Sequence, residues 1–318
     1  MNKNRFVTFM MVMATIIMSS CTDSRSQQTN QNTDETGTSI HASQQKGEIT
    51  DSQNSEEGDG KVANEGQLAG KETEKAVNGA DTNLKADAAN IPDGAAILMK
   101  AYPEYIKGYE GGKLQLRDGT QMVYDDGLKK SFEQKLDDAD PEDMFAFRYD
   151  RSGAQPEYLQ DAGRSRCEAL FKKMYGASPA AVERNLVSVD WFGQKVRFTK
   201  INGADKKLRA VAEELKAHPE FKSYFKSEGT YYWRPVRGAK RLSAHSYGMT
   251  IDIGGNYKTY WLWSNPGAGE TSKVKYENKM PMEIVRIFER HGFIWGGRWY
   301  HYDTMHFEYR PEILLANP

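Results

Sequence analysis

Cysteine is nearly absent from these 318 residues; only Cys21 and Cys167 occur. With Cys21 placed in an amino-terminal address described below, Cys167 is a lone thiol. It can form no internal disulfide and gives no cysteine-ligated metal site. It lies in Asp161-Ala-Gly-Arg-Ser-Arg-Cys-Glu-Ala-Leu-Phe, which reads as a helix, so a buried structural cysteine is expected there, not a nucleophile. Aromatic residues are missing from a long stretch: after Phe6 and Phe9 the next is Tyr102. The intervening polar, small and charged residues cannot bury enough apolar surface to offset the entropy of ordering them, so disorder is expected over 22–90. Charge of one sign is lacking too, with Lys plus Arg 43, Asp plus Glu 44 and a net charge of −1. No basic run with interleaved aromatics occurs, which argues against a dedicated nucleic-acid binder. No internal repeat is visible.

What is present begins with an address. Lys3 and Arg5 form a positive start, Phe6 to Met18 an apolar run of 13 residues, and Ser19-Ser20-Cys21 follows. The run is too short to span a bilayer and suits an export signal. Small residues before a cysteine match a lipoprotein processing site, although Met18 stands where such sites usually have Leu. Residues 1–21 are therefore expected to be a lipoprotein signal peptide, with Cys21 lipidated and the chain exported and membrane-anchored, facing the periplasm or cell envelope. Residues 22–90 then form a tether with a root-mean-square span of roughly 45 Å.

The remainder, 91–318, is rich in Trp, Tyr and Phe and long enough for one sizeable core. Apolar spacing predicts helices over 95–105, 127–136, 164–175, 179–186, 205–217 and 281–290. Strands are predicted over 122–124, 230–236, 249–253, 293–295 and 305–309, with a hairpin over 187–198. This mixture predicts an α+β domain, a small antiparallel sheet flanked by helices. Residues 91–185 read as an accessory helical part and 186–318 as the core.

Two segments carry chemistry: Ser243-Ala-His245-Ser-Tyr-Gly248-Met-Thr-Ile-Asp252, and Gly296-Gly-Arg-Trp-Tyr-His301-Tyr-Asp303-Thr-Met-His306-Phe-Glu308. A hydrolytic zinc site needs three protein ligands, an open position for water, and a separate carboxylate to move the water's proton. His245, Asp252 and His306 supply such a ligand set and Asp303 the extra carboxylate. A His and an Asp seven residues apart are common by chance, so spacing alone does not select them.

The first segment resembles the Ser-x-His-x-x-Gly-x-Ala-x-Asp signature of the VanY and VanX type zinc D,D-peptidases. These belong with the L-alanyl-D-glutamate endopeptidases of phage endolysins and with hedgehog proteins in the LAS superfamily. The second resembles that family's closing motif, an acidic residue shortly before a metal-binding His followed by Phe-Glu, and the Trp-Gly-Gly-x-Trp run before it is typical of one branch. The resemblance covers about Leu186 to Glu312. It implies a LAS/hedgehog-like fold, one zinc ion held by His245, Asp252 and His306, and Asp303 as general base and acid. It further implies Ser243 as a substrate-contacting or supporting hydroxyl, and an upstream Arg steadying the substrate carbonyl. Arg234 is the candidate for that Arg, with Arg237 and Arg241 as competitors. Two positions depart from the pattern: Thr250 replaces Ala, and Asp303 replaces the Glu more usual in the carboxypeptidase branch and is more familiar among the endopeptidases. The implied activity is D-alanyl-D-alanine carboxypeptidase action on peptidoglycan stem peptides by a monomer. L-alanyl-D-glutamate endopeptidase activity or a zinc-holding cell-wall-binding module are the alternatives.

Among the neighbours, two readings are open for His301, a surface or hydrogen-bonded loop residue first and a substrate contact second, while His218 and His291 read as helix-end residues. Trp295 and Trp299 read as core or cleft wall, and Tyr260, Trp261 and Trp263 as an aromatic cluster. Glu308 reads as a carboxylate that orients a metal-bound His.

Overall fold

The computed structural model describes residues 90–153 and 155–318. The signal segment, Cys21 and nearly all of the tether lie outside the described residues. Helix α1 (Asp93–Ala101) ends earlier than its apolar spacing predicts. Pro103 disfavours helical backbone at Tyr102, which closes the helix instead. Strands β1 (Ile106–Glu110), β2 (Lys113–Leu116) and β3 (Gln121–Val123) form an antiparallel meander. Its first two strands were not foreseen, because β1 lacks a clean alternation of apolar and polar residues.

Helix α2 (Phe132–Asp137) starts five residues later than the sequence predicted. Ser131 accepts from the backbone N–H of Gln134, whose side chain bonds back to the Ser131 N–H, and this reciprocal cap fixes the start. Helix α3 (Glu168–Tyr175) likewise omits 164–167. Arg164 and Arg166 find partners elsewhere, Glu270 and the Leu242 carbonyl, so their backbone turns instead of continuing the helix. Cys167 is buried at its start, and burial pushes its thiol up to about 11, which makes it unreactive.

After the short α4 (Pro179–Glu183), β4 (Leu186–Trp191) and β5 (Gln194–Thr199) form the predicted hairpin. Helix α5 (Ala204–Leu215) follows and buries Leu208, Val211 and Leu215 along one face. The third sheet is built from β6 (Ser227–Gly229), β7 (Thr250–Ile253), β8 (Phe293–Trp295) and β9 (His306–Tyr309), in the order β6-β7-β9-β8, all antiparallel. Between β7 and β8 lie α6 (Trp261–Ser264) and α7 (Met282–Arg290), and α8 (Pro311–Ala316) closes the chain. Residues 230–236, predicted as a strand, join no sheet; the one bridge there pairs Pro235 with Leu242.

The architecture is α+β with small antiparallel sheets. One continuous core includes Leu98, Phe171, Trp191, Leu208, Ile251, Phe288 and Phe307, drawn from both parts of the described chain. Phe288 of α7 stacks on Phe307 of β9 with ring centroids 4.0 Å apart. This contact fixes the rear of the strand that presents His306; truncating Phe307 to Ala would cost about 3–5 kcal/mol.

Candidate active site

The sheet register brings the two halves of the chemistry together. Asp252 of β7 and His306 of β9 are direct cross-strand partners, so their side chains share a face. Asp252 Oδ1 lies 3.2 Å from His306 Nδ1, and Asp252 Oδ2 lies 3.2 Å from His245 Nε2. His245 reaches this point from a short 3-10 turn, Ala244–Tyr247. Gly248 ends that turn with φ +66°, and a Cβ there would meet Leu186 Cδ2 at 2.4 Å. Only glycine combines this backbone with this contact.

Each imidazole is oriented from behind. His245 Nδ1 sits 2.7 Å from the Thr230 carbonyl, which leaves Nε2 facing Asp252. His306 Nε2 sits 2.9 Å from Glu308 Oε2, which leaves Nδ1 facing Asp252. Glu308 is held in turn by Arg310, at 2.7 Å, and lies 3.8 Å from Arg166. Arg310 bonds Glu312, and Glu312 accepts from the Tyr102 hydroxyl. Residues 306, 308, 310 and 312 thus form one buried ladder ending on the first segment of the domain. Burial alone would raise Glu308, yet its bond to His306 and the two guanidinium charges bring it down to about 2. Burial alone would lower His306, but the carboxylates of Asp252 and Glu308 beside it push it up to about 10. The site therefore attracts positive charge strongly.

Asp303 is set beside this group by the Gly-Gly turn. Its backbone N–H donates to the Gly296 carbonyl at 3.0 Å, and a Cβ on Gly296 would come within 2.6 Å of the Asp303 carbonyl. Burial, and then the neighbouring Asp252 charge, raise the Asp303 carboxyl to about 7. Asp303 Oδ1 is buried with no hydrogen-bond partner, and Asp252 Oδ1, although 3.2 Å from His306 Nδ1, makes no well-aligned hydrogen bond. One nitrogen or oxygen from each of His245, Asp252 and His306 lies within 4.8 Å of the others. Two neutral-capable imidazoles, a carboxylate with an orphaned oxygen and supporting partners on both rings fit a divalent metal such as zinc.

These groups open into a cleft of about 350 Å³. Ser243, Arg234, Arg237 and Arg241 all line it. Arg241 is committed to Asp137 and, at 3.2 Å, to Glu270. The Arg234 guanidinium donates to the Pro235 carbonyl and lies over the Tyr232 ring. Tyr260 and Trp261 form the aromatic wall with Trp299, and Trp263 stands exposed at its rim. Trp295 is core. His218 and His291 stand at helix ends, each beside a glutamate.

Two cleft residues, Arg164 and Arg166, and two acids that support the cleft wall, Asp161 and Glu270, were not singled out in the sequence. All four lie outside both motifs, and three of them belong to a segment read as helix. Gly163, with φ +98°, was the available signal that this helix could not form. His301 is hydrogen-bonded as one reading had it, but to Asp161 and in full burial, not at the surface.

Residues 237–309 match the family described as D-alanyl-D-alanine carboxypeptidase. The matched stretch contains His245, Asp252, Asp303 and His306, and over it the VanY-like peptidase resemblance is shown. No curated protein matches the chain.

Proposed function

We propose that this chain, whose residues 237–309 are of the D-alanyl-D-alanine carboxypeptidase family, is a zinc-dependent peptidase with a LAS/hedgehog-like fold. Its substrate is the peptidoglycan stem peptide, cut at the terminal D-alanyl-D-alanine bond. The observation that carries this reading is the convergence of His245, Asp252 and His306 within 4.8 Å, beside a carboxylate, Asp303, whose Oδ1 has no partner.

His245 through Nε2, His306 through Nδ1 and Asp252 through its ionised carboxylate would together hold zinc, whose binding would displace the His306 proton. When bound, that ion lowers the pKa of a water and polarises the scissile carbonyl. Asp303 takes the attacking water's proton and returns it to the leaving amine; its buried carboxyl lines the cleft with Oδ1 unpartnered, which places it for both transfers. Arg234 steadies the charge developing on the carbonyl oxygen, with Arg237 as the alternative, since Arg241 is already paired. Ser243 contacts the substrate from the cleft wall. The reading extends to residues outside the described ones: the Lys3/Arg5 start, the apolar run to Met18 and Cys21 support export and a lipid anchor, and the protein acts as a monomer.

The test is mass spectrometry of muropeptides incubated with the purified protein, with and without chelator, beside Asp303→Ala. Chelator-sensitive loss of one terminal alanine, abolished in the variant, is the expected result. Release of the stem at L-alanine would reassign the enzyme as an L-alanyl-D-glutamate endopeptidase, a reading that Asp at 303 favours. No cleavage by folded, zinc-loaded protein would leave a cell-wall-binding module.

A further inference from the structure

His301 is only 1% exposed, yet it forms part of the cleft lining. Its Nδ1 lies 2.6 Å from Asp161 Oδ2, and its backbone N–H donates to Asp161 Oδ1 at 3.0 Å. Asp161 is fully buried and also accepts from Arg164 at 2.6 Å. Burial alone would raise the Asp161 carboxyl, but the Arg164 charge and the His301 bonds outweigh it and hold the group ionised. An ionised carboxylate only accepts, so Nδ1 carries a ring hydrogen, and in the tautomer protonated at Nδ1 alone Nε2 is left as an acceptor. The ring is held by Trp261, Tyr300 and Phe132, with centroids 4.6, 5.1 and 5.9 Å away.

Nε2 is buried and has no partner. Buried polar atoms are normally satisfied, so an orphaned acceptor at a cleft wall needs an occupant. Three buried side-chain acceptors of this cleft are orphaned: Asp252 Oδ1, Asp303 Oδ1 and His301 Nε2. The first two belong to the hydrolytic centre. The cleft is otherwise rich in donors, with five arginines in its lining. A bound peptide brings carbonyl and carboxylate oxygens, which those arginines suit, and amide N–H groups, which they cannot serve.

We propose that His301 is a substrate-binding residue whose Nε2 accepts a hydrogen bond from a backbone N–H of the stem peptide, with Asp161 as the positioning residue that fixes the ring and its tautomer. The proposal rests on the peptidase reading above. It also gives the segment before Leu186 a part in the site, since Asp161 comes from there.

The test is a chemical double-mutant cycle on the full chain carrying Asp303→Ala, so that peptide binds without being cut. Affinity is measured by calorimetry for a stem pentapeptide and for analogues methylated at one backbone nitrogen each. With His301 present, one of these methylations weakens binding about tenfold, the worth of one hydrogen bond. With His301→Phe, that same methylation changes affinity less than about twofold. Equal losses in both backgrounds at every position would overturn the proposal. Asp161→Asn serves as the second variant: it moves the ring hydrogen to Nε2 and produces the same insensitivity to methylation. Nitrogen-15 spectra of the unsubstituted protein should show an unprotonated Nε2; an N–H there would also overturn the proposal. Cleavage with an additive cycle defeats this inference alone, whereas failure to bind or cleave any stem peptide defeats the peptidase reading with it.

Discussion

Asp252 and His306 occupy facing positions on β7 and β9, with Oδ1 3.2 Å from Nδ1. A one-residue slip in that register would send both side chains to the opposite face. The donor set is thus a property of the sheet as much as of the two residues. Replacing Asp252 by Asn or His306 by Ala should reduce bound zinc to background in elemental analysis of the dialysed protein. Retained stoichiometric zinc in either variant would refute the ligand assignment.

Glu308 holds His306 and is itself held by Arg310. Glu308→Gln keeps a hydrogen-bonding group but loses the charge, and should weaken zinc binding about 10–100-fold in competition with a chromophoric chelator. It also leaves Arg310, which is 0% exposed, without a charged neighbour on that side. A stability loss of about 3 kcal/mol in urea unfolding is expected.

Asp303 is not in the donor triad, so Asp303→Ala should separate chemistry from metal binding. Turnover should fall at least about 100-fold while zinc content and melting temperature stay near those of the unsubstituted protein. Loss of zinc in this variant would move Asp303 from proton transfer to coordination.

Gly248 combines φ +66° with a contact that a Cβ would make at 2.4 Å to Leu186. Gly248→Ala should cost about 1–3 kcal/mol in stability. Because the turn it ends carries His245, weaker zinc binding should accompany the loss. Unchanged unfolding would show that the turn adopts another conformation.

Asp161 is held ionised by Arg164 and His301 against the effect of its burial. A carboxyl depressed in the folded state takes up its proton more readily when unfolded, so its contribution is complete above about pH 4 and is lost as pH falls through the folded value. Stability measured from pH 5 to pH 2 should therefore decline, and Asp161→Asn should flatten that decline. An unaltered slope in the variant would place the acid sensitivity elsewhere.

Local patterns were enough for many elements. The hairpin over 187–198, helix α5 and helix α7 follow from side-chain periodicity, which is a property of neighbours along the chain. The two motifs likewise named His245, Asp252, Asp303 and His306, because their residue types and turn glycines sit within short windows. The start of α3 was misread, since Arg164 and Arg166 leave the helix for partners at Glu270 and Leu242, far along the chain. Glu308 was readable beside His306, but Asp161 behind His301 and the continuation of the ladder through Arg310 and Glu312 to Tyr102 had no linear signal. Periodicity named the elements and the family resemblance of the two motifs named the candidate residues; tertiary packing decided which buried charges support them, because a charge taken out of water must find its partner wherever the fold brings one.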